Sequence, residues 1–403
     1  MRTLSRRAFL ERAAIGAIGL VAAACGVEVV TPTTPTAPSG APSLPAMAPS
    51  PPPTPVASSV APLRDKIARL LLVGFRGTTI DEAAATVADI RERKLGGVLL
   101  FDVDQPTGGV RNVVDSHQVA ALTAALQEAA GGDLIIATDE EGGRVARLDQ
   151  RHGFPATRSA AELGRIGDPE VTRQAARALA ETLRAAGVNL NLAPVADLDL
   201  NPNNPAIGAL DRSFGADPSA VVAHVHAFVA GHREVGVGTA IKHFPGQGSA
   251  TADTHAGFVD VTDTWSRTEL EPFARLVEDG VARAVMTAHV FAAQLDADVP
   301  ATLSPAVIGS LLRGELGFDG VVISDDLQMG AIREQYGYED ALLRSLRAGI
   351  DLLLIANQQV FVAEVVEQTI TAIEGFVTDG SLSVDVIDAA EDRVAALRRS
   401  ITD

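Results

Sequence analysis

Eight short apolar runs, each closed by turn residues and separated from the next by a helical pattern, set the strongest limit on what residues 62–403 can fold into. They are LLLVGF (70–75), GGVLLF (96–101), LIIATD (134–139), VNLNLAPVAD (188–197), GTAIKHF (238–244), RAVMTAH (283–289), GVVISD (320–325) and DLLLIAN (351–357). Their apolar residues occupy consecutive rather than alternate positions, as in strands covered on both faces. Helix punctuation lies between them. Asp168-Pro169 opens a segment rich in Ala, Leu, Glu and Arg that runs to about Gly187, and Asp115-Ser116 opens one that ends at Gly131-Gly132. Strand and helix alternating eight times predicts an α/β chain folded as a (β/α)8 TIM-like barrel, a single catalytic domain over 62–403. A doubly wound open sheet is the alternative.

A barrel also predicts where function resides, because barrel active sites lie at the C-terminal ends of the strands. Five runs end in, or are followed at once by, a residue able to do chemistry: Asp139, Asp197, Lys242 with His243, His289, and Asp325. The last run ends in Asn357. Charged groups at apolar strand ends are costly unless they face a polar cavity or one another, so the five together point to a common pocket.

Several chemistries are excluded or weakened. The net charge of −18 and the lack of a basic cluster in the body of the chain argue against a nucleic-acid partner. His224 and His226 lie in an alanine-rich helical segment, where positions two apart do not share a face, so they predict no metal site. No P-loop or dinucleotide fingerprint is present. No metal and no organic cofactor is expected.

The N-terminus follows different rules. Arg6 and Arg7 precede an apolar run, Ala13–Ala24, too short to span a bilayer comfortably. Ser5-Arg6-Arg7-Ala8-Phe9-Leu10 resembles a twin-arginine export signal. Ala22-Ala23-Ala24 before Cys25 resembles a lipoprotein cleavage site, with Ala22 where Leu or Val is usual. Residues 1–25 are therefore expected to be a signal peptide with a lipoprotein cysteine. Cys25 is the only cysteine, which leaves no internal disulfide. Residues 26–61 are dominated by Pro, Thr, Ser and Ala and predict a disordered spacer. The expectation is an exported, extracytoplasmic protein tethered to a membrane through Cys25, with a monomer favoured.

Four motifs occur in order: ATDEEGGRVARL (137–148), AIKHFPGQGSATADTH (240–255), VMTAHV (285–290) and VISDDLQM (322–329). They resemble the bacterial β-N-acetylglucosaminidases of glycoside hydrolase family 3, the single-barrel type that acts on peptidoglycan fragments. LDRSFGADP (210–218) and AGIDLLLIAN (348–357) extend the likeness through nearly all of 62–403. The resemblance implies a small carbohydrate substrate with a terminal β-linked N-acetylglucosamine. It implies Asp325 as the nucleophile that forms a covalent glycosyl-enzyme, and His255 of the Asp253-Thr254-His255 triplet as acid/base. Asp253 would keep His255 protonated and oriented. Asp326 would point elsewhere. Asp139, Arg147, Arg212, Lys242 and His243 are implied to bind the sugar, with Met329 beside it and His289 as a further candidate.

The resemblance also implies that His255 rides a loop that swings over the sugar, with Gly246, Gly248 and Gly257 as its hinges. One position departs from the pattern: Gln247 stands where the family has histidine between two glycines. Two other readings compete with hydrolysis: a phosphorylase, since a histidine acid/base carries no negative charge to repel phosphate, and a non-catalytic muropeptide-binding lipoprotein.

Overall fold

The computed structural model describes residues 61–402. Cys25, the export signal and all but the last residue of the expected spacer lie outside the described residues. Each of the eight apolar runs forms a strand. β1 is Leu71–Gly74, β2 Gly97–Leu99, β3 Ile135–Thr138 and β4 Leu190–Asn191. β5 comprises Gly238–Thr239 and Ile241–Phe244, β6 is Ala284–Thr287, β7 Val321–Ile323 and β8 Leu353–Ile355.

All the pairings are parallel and sequential, from Leu72↔Gly97 through Gly97↔Ile135, Ala137↔Leu190 and Leu190↔Gly238 to Ile241↔Val285. Val321↔Ala284, a bridge at Ile323↔Leu352, and Leu71↔Leu353 complete the circuit. β1 therefore has β8 and β2 as neighbours, and the ring closes. That settles the barrel against the open sheet. Its strands are buried nearly throughout, which is why their sequences show no alternation.

The helices start where the sequence places their caps. The Asp115 carboxylate accepts from the backbone N–H groups of His117 and Gln118 at the head of Ser116–Ala130. Asp168 caps Pro169–Ala185 through Glu170 N–H, and Asp217 caps Pro218–Val235 through Ser219 N–H. Such caps contribute about 1 kcal/mol each. On Pro218–Val235 the two histidines face apart, as their spacing requires. His224 is buried with Nδ1 2.7 Å from Thr172 Oγ1, whereas Nε2 of the half-buried His226 lies 2.8 Å from Asp279.

Two loops at the C-terminal end of the barrel are tied together by a short parallel ladder, Val259–Asp260 against Val290–Phe291. It anchors the far end of the loop that carries His255.

Candidate active site

Just beyond β3, Asp139 and Glu141 are two residues apart, a spacing that puts side chains on one side of an extended segment. Both reach Lys242 on β5, whose Nζ lies 2.8 Å from Asp139 Oδ1 and 2.7 Å from Glu141 Oε1. Glu141 also receives Arg212 in a two-pronged pair of 2.7 and 2.8 Å. Burial alone would raise the Glu141 pKa, but the two cations outweigh it and hold the carboxyl well below the usual range. Burial likewise disfavours the Lys242 ammonium, and the carboxylates of Asp139 and Glu141 reverse that and raise it. Arg147 completes the cluster, 3.7 Å from Asp139 Oδ2 and over the Phe101 ring at 5.5 Å.

The peptide between Lys242 and His243 is cis, and both side chains line the cavity. His243 Nδ1 donates to Asp197 Oδ2 at 2.6 Å, and its Nε2 lies 3.3 Å from Arg212 Nη2. A carboxylate on one ring nitrogen and a guanidinium on the other place the ring proton on Nδ1. Asp197 accepts from Gln247 N–H at 2.9 Å through its second oxygen, so one carboxylate sets both the ring and the loop after β5.

Asp325 follows β7 and lines the same cavity. Burial would raise its pKa; the imidazoles of His289, His243 and His255, with the Asp326 N–H, lower it instead. On the same cavity, His255 Nδ1 donates to Asp253 Oδ1 at 2.8 Å, which leaves Nε2 for the cavity. The Asp253 hydrogen bond is the main cause that raises the His255 pKa above its ordinary 6.5, with the charge of Asp325 adding to it. Ala331 N–H donates to the Thr254 carbonyl at 3.3 Å and Gln359 Nε2 to the His255 carbonyl at 3.1 Å, so the loop is held against the segments after β7 and β8. The cavity holds about 190 Å³.

This arrangement supplies an ionised carboxylate and a protonatable imidazole on one cavity, beside a partly buried network of three cations and two carboxylates. The model of the glycosyl hydrolase family 3 N-terminal domain matches residues 62–397. The chain belongs to glycosyl hydrolase family 3.

Its relatives in the family include a β-hexosaminidase of Xylella fastidiosa strain M23, 38% identical over 315 residues, 76% of this chain and 87% of the relative. The β-hexosaminidase LpqI of Mycobacterium tuberculosis is 35% identical over 350 residues, 83% of this chain and 82% of that one. The solved structure of a glycoside hydrolase family 3 β-N-acetylglucosaminidase from Paenibacillus sp. FPU-7 superposes with a TM-score of 0.77 at 35% identity. The match spans 85% of this chain but 63% of the Paenibacillus enzyme, less than two thirds of it. That of M. tuberculosis LpqI superposes with a TM-score of 0.72 at 33% identity, over 84% and 94% of the two chains.

Within this family site, the fold brings Asp139, Arg147, Arg212, Lys242, His243, His255, Asp325 and Met329 to one cavity wall or another, with Asp253 holding His255. Two expectations need correcting. His289 does not line the cavity. It is fully buried, with Nδ1 2.8 Å from Thr302 Oγ1 and Nε2 2.9 Å from the Asp326 carbonyl, so both nitrogens are engaged behind Asp325. Gly246 and Gly248 are not hinges either. A Cβ on Gly248 would stand 1.7 Å from the Leu198 carbonyl oxygen, and one on Gly246 would stand 2.6 Å from Glu269 Cβ. Glycine is required there because backbone and side chains press against it. Only Gly257 opens on free space.

Asp326 also touches the cavity, but its Oδ1 accepts from the N–H groups of Ala356 and Gln328. It bolts the loop after β7 to β8. The sequence reading passed over three participants. Glu141 was signalled by its i, i+2 relation to Asp139. Asp197 was visible as a strand-end carboxylate but received no role. Glu269, which accepts from Gly248 N–H and Ser249 Oγ, comes from a distant segment and carried no local signal.

Proposed function

We propose that this chain is a retaining exo-β-N-acetylglucosaminidase that removes terminal β-linked N-acetylglucosamine from peptidoglycan fragments or related glycans. The observation that carries the proposal is the pairing of Asp325, whose ionised form the surrounding imidazoles favour, with His255, whose protonated form Asp253 favours, on one small cavity. The cavity is smaller than those typical of drug-sized ligands, which suits a single terminal sugar.

Asp325 attacks the anomeric carbon as His255 protonates the departing oxygen, giving a covalent glycosyl-enzyme. His255 then takes a proton from water, which attacks the same carbon and frees Asp325. Two inversions give net retention. Asp139, Lys242, Arg147, Arg212 and His243 hold the sugar hydroxyls and the acetamido group.

Asp139 and Glu141 engage Lys242, Arg212 and Arg147, which weakens the pull of these cations on a phosphate dianion, so water serves as the second nucleophile in this reading. A protein that merely binds muropeptides has no use for an ionised Asp325 facing a proton donor. The test is release of the aryl group from an aryl β-N-acetylglucosaminide by residues 62–403 in phosphate-free buffer, with Asp325→Ala beside it. Turnover by the wild type alone is expected; a strict requirement for phosphate, or equal turnover by Asp325→Ala, would overturn the mechanism.

The proposal extends to location. The twin-arginine-like signal and the small residues before Cys25 support export and a lipid tether. Metabolic incorporation of labelled palmitate, lost in Cys25→Ala, is expected; a protein that stays unlabelled and cytosolic would refute it.

A further inference from the structure

Gln247 is the one position where the sequence departs from the family's motif, and its surroundings give it a role. The residue is 4% exposed and lines the cavity. Its backbone is fixed on both sides: the N–H donates to Asp197 Oδ1 at 2.9 Å and the carbonyl accepts from Asn204 Nδ2 at 2.7 Å. The glycines on either side are closely packed. Every hydrogen bond of Gln247 is thus made by its main chain, and among the described residues its side-chain amide has no partner.

A side-chain amide on a cavity wall with no protein partner is left to water in the empty protein and is free to bond a ligand. Two buried amides outside the cavity lining behave differently. Asn204 donates to the carbonyls of Gln247 and Gly248, and Asn191 donates to the Glu140 carbonyl. Gln247 alone of the three presents an unused donor and acceptor to the cavity, on a main chain held by hydrogen bonds to Asp197 and Asn204.

We infer that Gln247 is a substrate-contacting residue whose side-chain amide hydrogen-bonds the sugar bound in the cavity. The inference rests on the reading of that cavity as the sugar site. An amide both donates and accepts and does not titrate, so it serves hydroxyl and acetamido groups at any working pH. A histidine at the same position would tie that contact to protonation.

The experiment compares wild type, Gln247→Met and Gln247→His in aryl β-N-acetylglucosaminide hydrolysis and in the rise of the melting temperature on adding N-acetylglucosamine. Met matches the length of Gln and removes only the hydrogen bonds. The expected result for Gln247→Met is a kcat/KM about tenfold lower, the loss of one good hydrogen bond. Its own melting temperature should be unchanged or higher, and its ligand-induced rise smaller. Gln247→His should keep most of the kcat/KM. A purely structural Gln247 gives the opposite pattern, a lower melting temperature with unchanged kinetics and an unchanged ligand-induced rise, and that overturns the inference. Gln247→Leu is run in parallel in case the Met variant does not fold. If the wild type turns over no substrate, the hydrolase reading falls. The ligand-induced rise still decides the contact: equal values in wild type and variant, zero included, refute it.

Discussion

At the scale of single residues, the chemistry depends on which group holds which proton. The His255 pKa lies above 6.5, chiefly because Nδ1 donates to Asp253. The acid step needs His255 protonated, so activity falls as pH rises through that raised value. Asp253→Asn keeps an acceptor for Nδ1 but removes the charge. The alkaline limb of kcat/KM should then move to lower pH, toward or below 6.5, while the acid limb set by Asp325 moves little. A profile measured from about pH 4 to about pH 9 with an unmoved alkaline limb would show that Asp253 does not tune His255. The residue types were readable in the sequence, since Asp253-Thr254-His255 and Ser324-Asp325-Asp326 are local motifs. Their electrostatic state was not, because Asp325 is held down by three imidazoles from other parts of the chain.

At the scale of elements, the strands and caps follow from local physics, and the loops after them do not. Consecutive apolar residues between turn signals specify a buried strand, and Asp-Pro or Asp-Ser specifies a helix start. The segment 245–258 has no such code. Its glycines look alike in sequence but differ in what surrounds them. Gly248→Ala would drive a Cβ against the Leu198 carbonyl, a backbone atom with no rotamer to escape into. It should cost about 3 kcal/mol or more of stability. Gly257→Ala meets nothing within 4 Å and should stay within about 0.5 kcal/mol of wild type. Urea unfolding of both variants checks the contrast, and equal effects would contradict the packing described for Gly248.

At the scale of the whole molecule, stability is linked to pH by buried groups that take no part in the reaction. Glu140 is buried, its Oε2 accepts from the N–H groups of Arg147 and Leu148, and its other oxygen has no partner. Burial pushes its pKa up to about 7 from an ordinary 4.5. The folded protein therefore binds a proton that the unfolded chain has already released. Its contribution is fully present below pH 4.5 and is lost as pH rises through about 7. Glu140→Gln removes that proton. The variant should gain on wild type as pH rises across this window, by on the order of 3 kcal/mol. The difference between the two melting curves isolates Glu140 from the buried His232, whose pKa burial lowers to about 4 and whose effect runs the other way. A constant difference from pH 4.5 to above 7 would refute the assignment.

The sequence by itself determined the barrel, the end of it that works, and most of the side chains gathered there. Runs of apolar residues and strand-end charges are local facts, and burial acts on them directly. Tertiary structure alone decided that His289 lies behind Asp325, that Gly248 is a contact rather than a hinge, and that Glu141 and Asp197 set the cations and the His243 ring. Those outcomes depend on distances between segments brought together only when the ring of strands closes.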